Sequence, residues 1–391
     1  MACADDRRGD EATPTAPGAP RASGSGPQLG DPLPGLSSSE LAAFNRGKLV
    51  FQRGFTQSTG LGPTFNASSC AECHGEEEGP VGGTGDEVET HFTNLRSDGT
   101  CDLLAASGGF VHQDSVTPAL FAATGLTEEP FPTAQHQRGT RSIPDLFGFG
   151  LLAEVPAQVI ISYATYDPND SNGDGISGRA QLFGSEVGRF GRKGNEPSLT
   201  VFNAGALLNE MGITNALNMT ENSIGGAAIP AGVDPTPEPE ISSSDLDDLN
   251  AFVRFLAPPP QLPLTAEATT GKNLFASIGC AGCHRPTLTT GWMSRSLALS
   301  GKDVNAFTDL LLHDMGPEDA DICLGQAANA EFRTEPLMGA RFMEFFMHDG
   351  RATSVTEAIQ FHGGEGSGAR TSFFNLTTAQ QSAVLAYVNS L

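Results

Sequence analysis

Two short segments constrain this chain more than anything else in it: Cys70-Ala71-Glu72-Cys73-His74 and Cys280-Ala281-Gly282-Cys283-His284. Two thiols three residues apart can each add across one vinyl group of a haem, and the adjacent imidazole then reaches the iron from the proximal side. A zinc knuckle also uses paired thiols, but two copies at equivalent places in a repeated unit argue against zinc. A redox Cys-x-x-Cys has no need of the histidine. The expectation is therefore two covalently bound haem c groups. Cys70, Cys73, Cys280 and Cys283 attach them, and His74 and His284 ligate iron.

The repeat extends beyond the motifs. Gly47-Lys48-Leu49-Val50-Phe51 precedes the first and Gly271-Lys272-Asn273-Leu274-Phe275 the second. Leu249 to Leu256 matches Val384 to Leu391 almost position for position, with apolar residues at helical spacing. Arg141-Ser142-Ile143-Pro144 is echoed by Arg333-Thr334-Glu335-Pro336. Each unit reads as a helix, a haem motif and a closing helix packed across the first. The predicted fold is mostly α, with two cytochrome c-like domains, long irregular loops and little β structure. The domains are 37–258, with a large insertion between Gly75 and Ile241, and 259–391, divided at Ala257-Pro258-Pro259-Pro260.

No run of apolar residues is long enough to span a membrane. Haem attachment to such motifs requires export in bacteria, so the chain reads as a mature, periplasmic or cell-surface form. Cys3 stands before a Pro/Gly/Ser/Ala-rich stretch. Residues 1–36 resemble a lipoprotein tether with Cys3 acylated; the alternative is a stray cysteine. The 46 acidic residues outnumber the 22 basic ones. This excludes nucleic acid as a natural partner and suits a small basic redox protein, a cytochrome or a cupredoxin. Contact with a membrane is expected only through the anchor. Acidity also keeps exported proteins soluble.

Several further residues have ligand chemistry. His362, at the end of a short helical pattern, and Met315 and Met211 are candidate sixth haem ligands; a thioether raises the potential relative to imidazole. A lone methionine is more often core. Asp170-Ser171-Asn172-Gly173-Asp174-Gly175-Ile176 resembles the start of an EF-hand loop, with Asp170, Asn172, Asp174 and the Ile176 carbonyl as Ca2+ ligands. Gln181 stands where the loop's bidentate glutamate belongs, and an Asx/Gly turn is the alternative. Cys101 and Cys323 either pair, tying the units together, or stay free thiols. Trp292, the only tryptophan, is either a relay between haems or ordinary packing. Glu154, before a Pro-started helix, is either a general base or a carboxylate placed by the helix dipole.

Beyond single motifs, the chain resembles the dihaem c-type oxidoreductases often labelled thiol oxidoreductases. These are related to bacterial dihaem cytochrome c peroxidases and to the dihaem enzymes that mature tryptophylquinone cofactors. The resemblance rests on Gly60-Leu61-Gly62-Pro63-Thr64-Phe65-Asn66, Gly148 to Leu152, Asn172 to Arg179, Gly188-Arg189-Phe190-Gly191, Met211-Gly212-Ile213-Thr214, Asp309 to Pro317, His348-Asp349-Gly350-Arg351-Ala352 and His362-Gly363-Gly364-Glu365. It implies a two-domain dihaem fold in which one haem transfers electrons and the other meets peroxide or another substrate. It makes His362 the leading sixth ligand. It also implies a glutamate and a glutamine over the first haem, nearest here to Glu154 and Gln158, although the peroxidases carry Trp-Asp-Gly-Arg where this chain reads Leu152-Ala153-Glu154-Val155-Pro156. The function expected is a peroxidase-like oxidoreductase; the alternative is a lipid-tethered electron carrier.

Overall fold

The computed structural model describes residues 26–75, 88–133, 137–164, 173 and 175–391. Cys3, His136, Asp170, Asn172 and Asp174 lie outside the described residues. In chain order the helices are α1 (Ser38–Phe51), α2 (Cys70–His74), α3 (Pro118–Thr124), α4 (Phe149–Ala153), α5 (Ala157–Tyr163) and α6 (Leu199–Met211). Then follow α7 (Ser243–Phe255), α8 (Ala266–Ser277), α9 (Val355–Phe361), α10 (Ser367–Phe374) and α11 (Thr378–Val388). The second motif lies in a 3-10 turn, Cys280–Gly282. The fold is mostly α with long loops, as expected, and the β structure is confined to small antiparallel pairings. The largest sets Val88–Leu95 between Cys101–Asp102 and Gln137–Ser142.

The repeated sequence builds a repeated crossing. Ser37 caps α1 through a capping box with Glu40, which satisfies otherwise orphaned N–H groups. α1 then packs across α7, and α8 packs across α11. At both crossings a glycine lets the backbones touch. A Cβ on Gly47 would lie 1.9 Å from the Asp248 carbonyl oxygen, and one on Gly271 would lie 1.8 Å from that of Ala383. One turn later Phe51 meets Phe252, with ring centroids 5.0 Å apart, and Phe275 meets Tyr387 at 5.5 Å. These are the residues that the alignment of the two halves pairs.

Two findings depart from a simple reading of tether plus two domains. Residues 26–36, the last part of the expected tether, are seated on the first unit. Pro32 bridges Leu256, the Leu33 N–H donates to the Phe255 carbonyl at 2.8 Å, and Leu33 is buried. Burying Leu29, Leu33 and Leu36 against the core outweighs the chain entropy that a Pro/Gly-rich segment would otherwise keep. The second departure concerns the core. Leu288, Leu299, Val304, Leu310 and Leu311 belong by sequence to the second unit, yet they pack in the first unit's core. Around the second motif a smaller cluster remains, built on Phe275, Phe307, Phe373, Val384 and Tyr387.

The halves are also tied covalently and by charge. Cys101 and Cys323 form a disulfide, so the open question between pairing and free thiols resolves to pairing. Beside it Arg141 pairs with Asp321, and the fully buried Lys193 ammonium lies 3.0 Å from the same carboxylate. Lys193 donates to the carbonyls of Ala328, Asn329 and Glu331 and sits 3.8 Å from the centre of the Phe332 ring. Burial lowers its pKa to about 8. The acceptors compensate a desolvation that an unpaired ammonium could not bear.

Candidate haem sites and buried carboxyl pair

α2 starts on Ser69, whose hydroxyl accepts the Glu72 N–H, and presents Cys70, Cys73 and His74 within little more than one turn. His74 Nδ1 lies 3.1 Å from the Pro144 carbonyl oxygen. A carbonyl can only accept, so the ring proton is on Nδ1 and Nε2 keeps its lone pair. Burial lowers the His74 pKa to about 4, which holds the ring neutral, the form that binds metal. The same burial pushes the Cys70 thiol up to about 12.

The second motif repeats the arrangement with a different acceptor. His284 Nδ1 donates to the Phe307 carbonyl at 3.0 Å, and burial again brings its pKa down to about 4. Phe307 has φ +54°, a left-handed conformation that costs a bulky residue about 1–3 kcal/mol. The strain falls on the residue that orients the histidine. Here the echo of Arg141–Pro144 fails: the Pro144 carbonyl serves His74, whereas Phe307, not Pro336, serves His284.

His362 faces His284. Its Nδ1 donates to the Ala358 carbonyl at 2.7 Å, leaving Nε2 bare, and the two ring centroids are 6.4 Å apart. One metal atom bound by two imidazoles at about 2 Å each puts the ring centres roughly 6 Å apart. His284 and His362 have a ring separation of the size that a metal atom held between two imidazoles would require. They line a cavity of about 330 Å³ shared with Phe275, Ile278, Met343 and Val384, a pocket apolar enough to take a porphyrin. Met315 lines the same cavity, whereas Met211 ends α6 buried in the large core. The ring neighbour of His74 is Phe51, at 6.2 Å.

A polar hub lies against the second motif. His313, buried, has Nε2 3.0 Å from Asp309 and Nδ1 2.6 Å from Glu365, with Cys283 Sγ at 3.6 Å. Burial alone would depress its pKa; the bonds to Asp309, Cys283 and Glu365 outweigh that and hold it well above its ordinary value. Glu365 also accepts from the Ser177 N–H and hydroxyl, both at 2.9 Å. The exit of the EF-hand-like loop is thus fastened to the His362 loop. The Ile176 side chain reaches the second motif, since a Cβ on Gly282 would lie 2.8 Å from its Cδ1. The expected Ca2+ ligands Asp170, Asn172 and Asp174 lie outside the described residues.

Glu154 is bound to Arg254 in a close ion pair, and Gln158 is exposed on the first turn of α5. The structure instead brings together a carboxyl pair that sequence reasoning missed, Glu89 and Glu210. Glu89 sits on the strand paired with Arg141–Ser142, two residues before Pro144. Glu210, in α6, accepts from Asn66, four residues before Cys70. Burial raises both acids, Glu89 to about 7 and Glu210 well above the usual carboxylate range, and each also feels the other. His91 Nε2 lies 3.0 Å from Glu89. Like charges in a dry site cannot both ionise, so the pair retains a proton near neutrality. The Glu89-Thr90-His91-Phe92-Thr93 context carries no recognisable signal for it; only α6 and the strand, 121 residues apart in sequence, create it.

No curated protein sequence matches the chain. Its fold is similar to that of hydrazine synthase from Kuenenia stuttgartiensis (14% identity, 97% of this chain and 100% of that one, TM-score 0.42). It is similar also to the diheme peroxidase BthA from Burkholderia thailandensis (16%, 90% and 86%, TM-score 0.41). A third likeness is to a MauG-like protein associated with microbial copper homeostasis (16%, 94% and 94%, TM-score 0.40). These likenesses are too distant to carry residue roles across. The family model described as "Di-haem oxidoreductase, putative peroxidase" matches residues 133–391, well over half of the sequence and including the second motif, His313 and His362; the chain belongs to the di-haem oxidoreductase family.

Proposed function

We propose that this dihaem redox enzyme is an extracytoplasmic, peroxidase-like oxidoreductase that takes electrons from a small basic cytochrome or cupredoxin and delivers them to peroxide. The observation that carries the reading is the asymmetry between two otherwise matched histidines. Each histidine has a matching phenylalanine beside it, Phe51 at 6.2 Å from His74 and Phe275 at 6.5 Å from His284, but among the described residues a second imidazole, His362 at 6.4 Å, faces His284 alone. The second site is built to keep six ligands and pass electrons; the first is the one that admits a small molecule. Cys70, Cys73, Cys280 and Cys283 would hold both haems covalently, and each haem, when bound, supplies the redox chemistry. Glu89, on the strand beside Arg141, and Glu210, bonded to Asn66, keep a proton between them and would be the general acid–base pair for peroxide. Two haems and the formal charge of −24 support an exported protein with a basic partner. A Ca2+ ion in the Asp170–Ile176 loop would stiffen the strap that Glu365 fastens to His362.

Optical and EPR spectra of the ferric and half-reduced protein, before and after hydrogen peroxide, test the reading. One high-spin iron that responds to peroxide supports it, and Glu89→Gln then slows that response. Two low-spin irons in both states, unmoved by peroxide, refute it and leave an electron carrier.

A further inference from the structure

The segment after the second motif forms a pinched loop. The Thr290 N–H donates to the Lys302 carbonyl at 2.9 Å and the Gly301 N–H to the Gly291 carbonyl at 3.0 Å, closing its base. Ala298 and Leu299 plug into the core, so the loop is anchored. Yet Trp292 is 79% exposed, Met293 94% and Leu297 83%. The Trp292 ring rests on Gly301, where a Cβ would lie 2.5 Å from it. Three large apolar side chains held outward by a well-packed loop are not an accident of loose chain.

The loop's own segment is basic up to Lys302, which Asp303 follows. From Ala268 to Ser300 the chain has no acidic residue but carries Lys272, Arg285 and Arg295, with Lys302 just beyond, in a protein with 46 acidic residues. The start of the described chain lies at this end too. Residues 32 and 33 pair with Leu256 and Phe255. The adjacent Arg254 holds Glu154, whose carbonyl accepts the Gly291 N–H at 2.8 Å. Gly26, where the described chain begins, lies against Pro260.

We propose that the Trp292–Leu297 loop is a membrane-surface docking face. Trp292, Met293 and Leu297 enter the interfacial layer of a bilayer, and Arg295 and Lys302 meet its phosphates. The enzyme thus stands on the membrane in one orientation, with this face down. The inference rests on the extracytoplasmic reading only in that the protein meets a lipid surface.

Flotation of the holoprotein with vesicles of phosphatidylethanolamine and phosphatidylglycerol tests it, using Cys3→Ser as the background so that no acyl chain contributes. Combined Trp292→Ser, Met293→Ser and Leu297→Ser lowers the bound fraction at least tenfold while leaving the haem spectra and the peroxide response unchanged. Arg295→Glu with Lys302→Glu lowers it chiefly at low salt. Equal flotation of the loop variant and its parent, including none of either, overturns the proposal. So does a loop variant that keeps its vesicle binding but is no longer reduced by a small basic cytochrome, which would make this a protein-docking face. A failed tether shows instead as no difference between Cys3→Ser and the original chain, and a failed peroxidase reading shows only in the spectra.

Discussion

Replacing Gly271 by alanine tests the helix crossing on which the second haem pocket stands. The added Cβ would lie 1.8 Å from the Ala383 carbonyl oxygen and 3.0 Å from the Tyr387 Cβ. Carbon and carbonyl oxygen approach no closer than about 3.3 Å, so α8 and α11 must part by about 1.5 Å. The obstacle is backbone, which cannot swing aside as a side chain does. Overpacking of this kind costs about 3 kcal/mol, at the upper end of its range. Alanine's better helix propensity returns about 1 kcal/mol, for a net loss of about 2 kcal/mol. Gly205 in α6 is the control. The nearest atom to a Cβ there is Asn209 Nδ2 at 3.9 Å, so Gly205→Ala keeps the propensity gain and stabilises by about 1 kcal/mol. For domains of this size each kcal/mol moves Tm by about 2–4 °C. Thermal melts of the two holoproteins, followed in the far-UV and in the Soret band, should therefore separate by roughly 6–12 °C, with Gly271→Ala the lower. Equal or reversed melting temperatures would refute the reasoning, and Gly47→Ala should behave like Gly271→Ala.

Further outcomes follow from buried charge. In the folded chain Glu89 keeps a proton up to about pH 7 that an unfolded glutamate loses near 4.5. The folded state binds more protons across that window, so stability falls as pH rises through it. In Glu89→Gln this fall is reduced, which urea midpoints from pH 5 to 8 would register; an unchanged slope speaks against the pair. His313 has linkage of the same sign in a higher pH window. Its raised pKa contributes stability that is complete below about 6.5 and is lost only as pH climbs past the folded value. Glu365→Gln leaves that imidazolium with one carboxylate and costs about 3 kcal/mol at pH 7, measurable by denaturant melts; a variant as stable as the parent would show that Asp309 alone suffices. Reducing Cys101–Cys323 opens a closure spanning 222 residues, worth about 5 kcal/mol on the chain-entropy scale. Cys101→Ser with Cys323→Ser should melt clearly lower, and a midpoint insensitive to reductant would count against that constraint.

Much of the scaffold was legible because it is local or repeated. Capping at Ser37, the Gly-Lys-x-x-Phe helices and the closing helices follow from short-range pattern, and the two halves check each other. His362 was legible as a ligand candidate because it ends a short helix in a recognisable segment. What escaped depends on contacts between distant segments. Glu89 and Glu210 are ordinary acids until the sheet and α6 converge. Glu154 drew notice from its place in the family's segment order, but its partner Arg254, a hundred residues on, is visible only in three dimensions. Residues 26–36 read as tether by composition, since three leucines spaced through a Pro/Gly-rich run show no period. Trp292 offered two readings, relay or packing, and its 79% exposure speaks against ordinary packing.

The core shared across the boundary at Pro258 changes what the two halves are to each other. Leu288, Leu299, Leu310 and Leu311 are encoded with one haem and fold with the other. A gene cut there would deliver a first half with an open wound in its interior and a second half with a greasy flap. The halves still look like siblings in sequence, but they are no longer interchangeable modules. The spacing of the two Cys-x-x-Cys-His motifs is therefore set by this shared core and not by the Pro258–Pro260 linker.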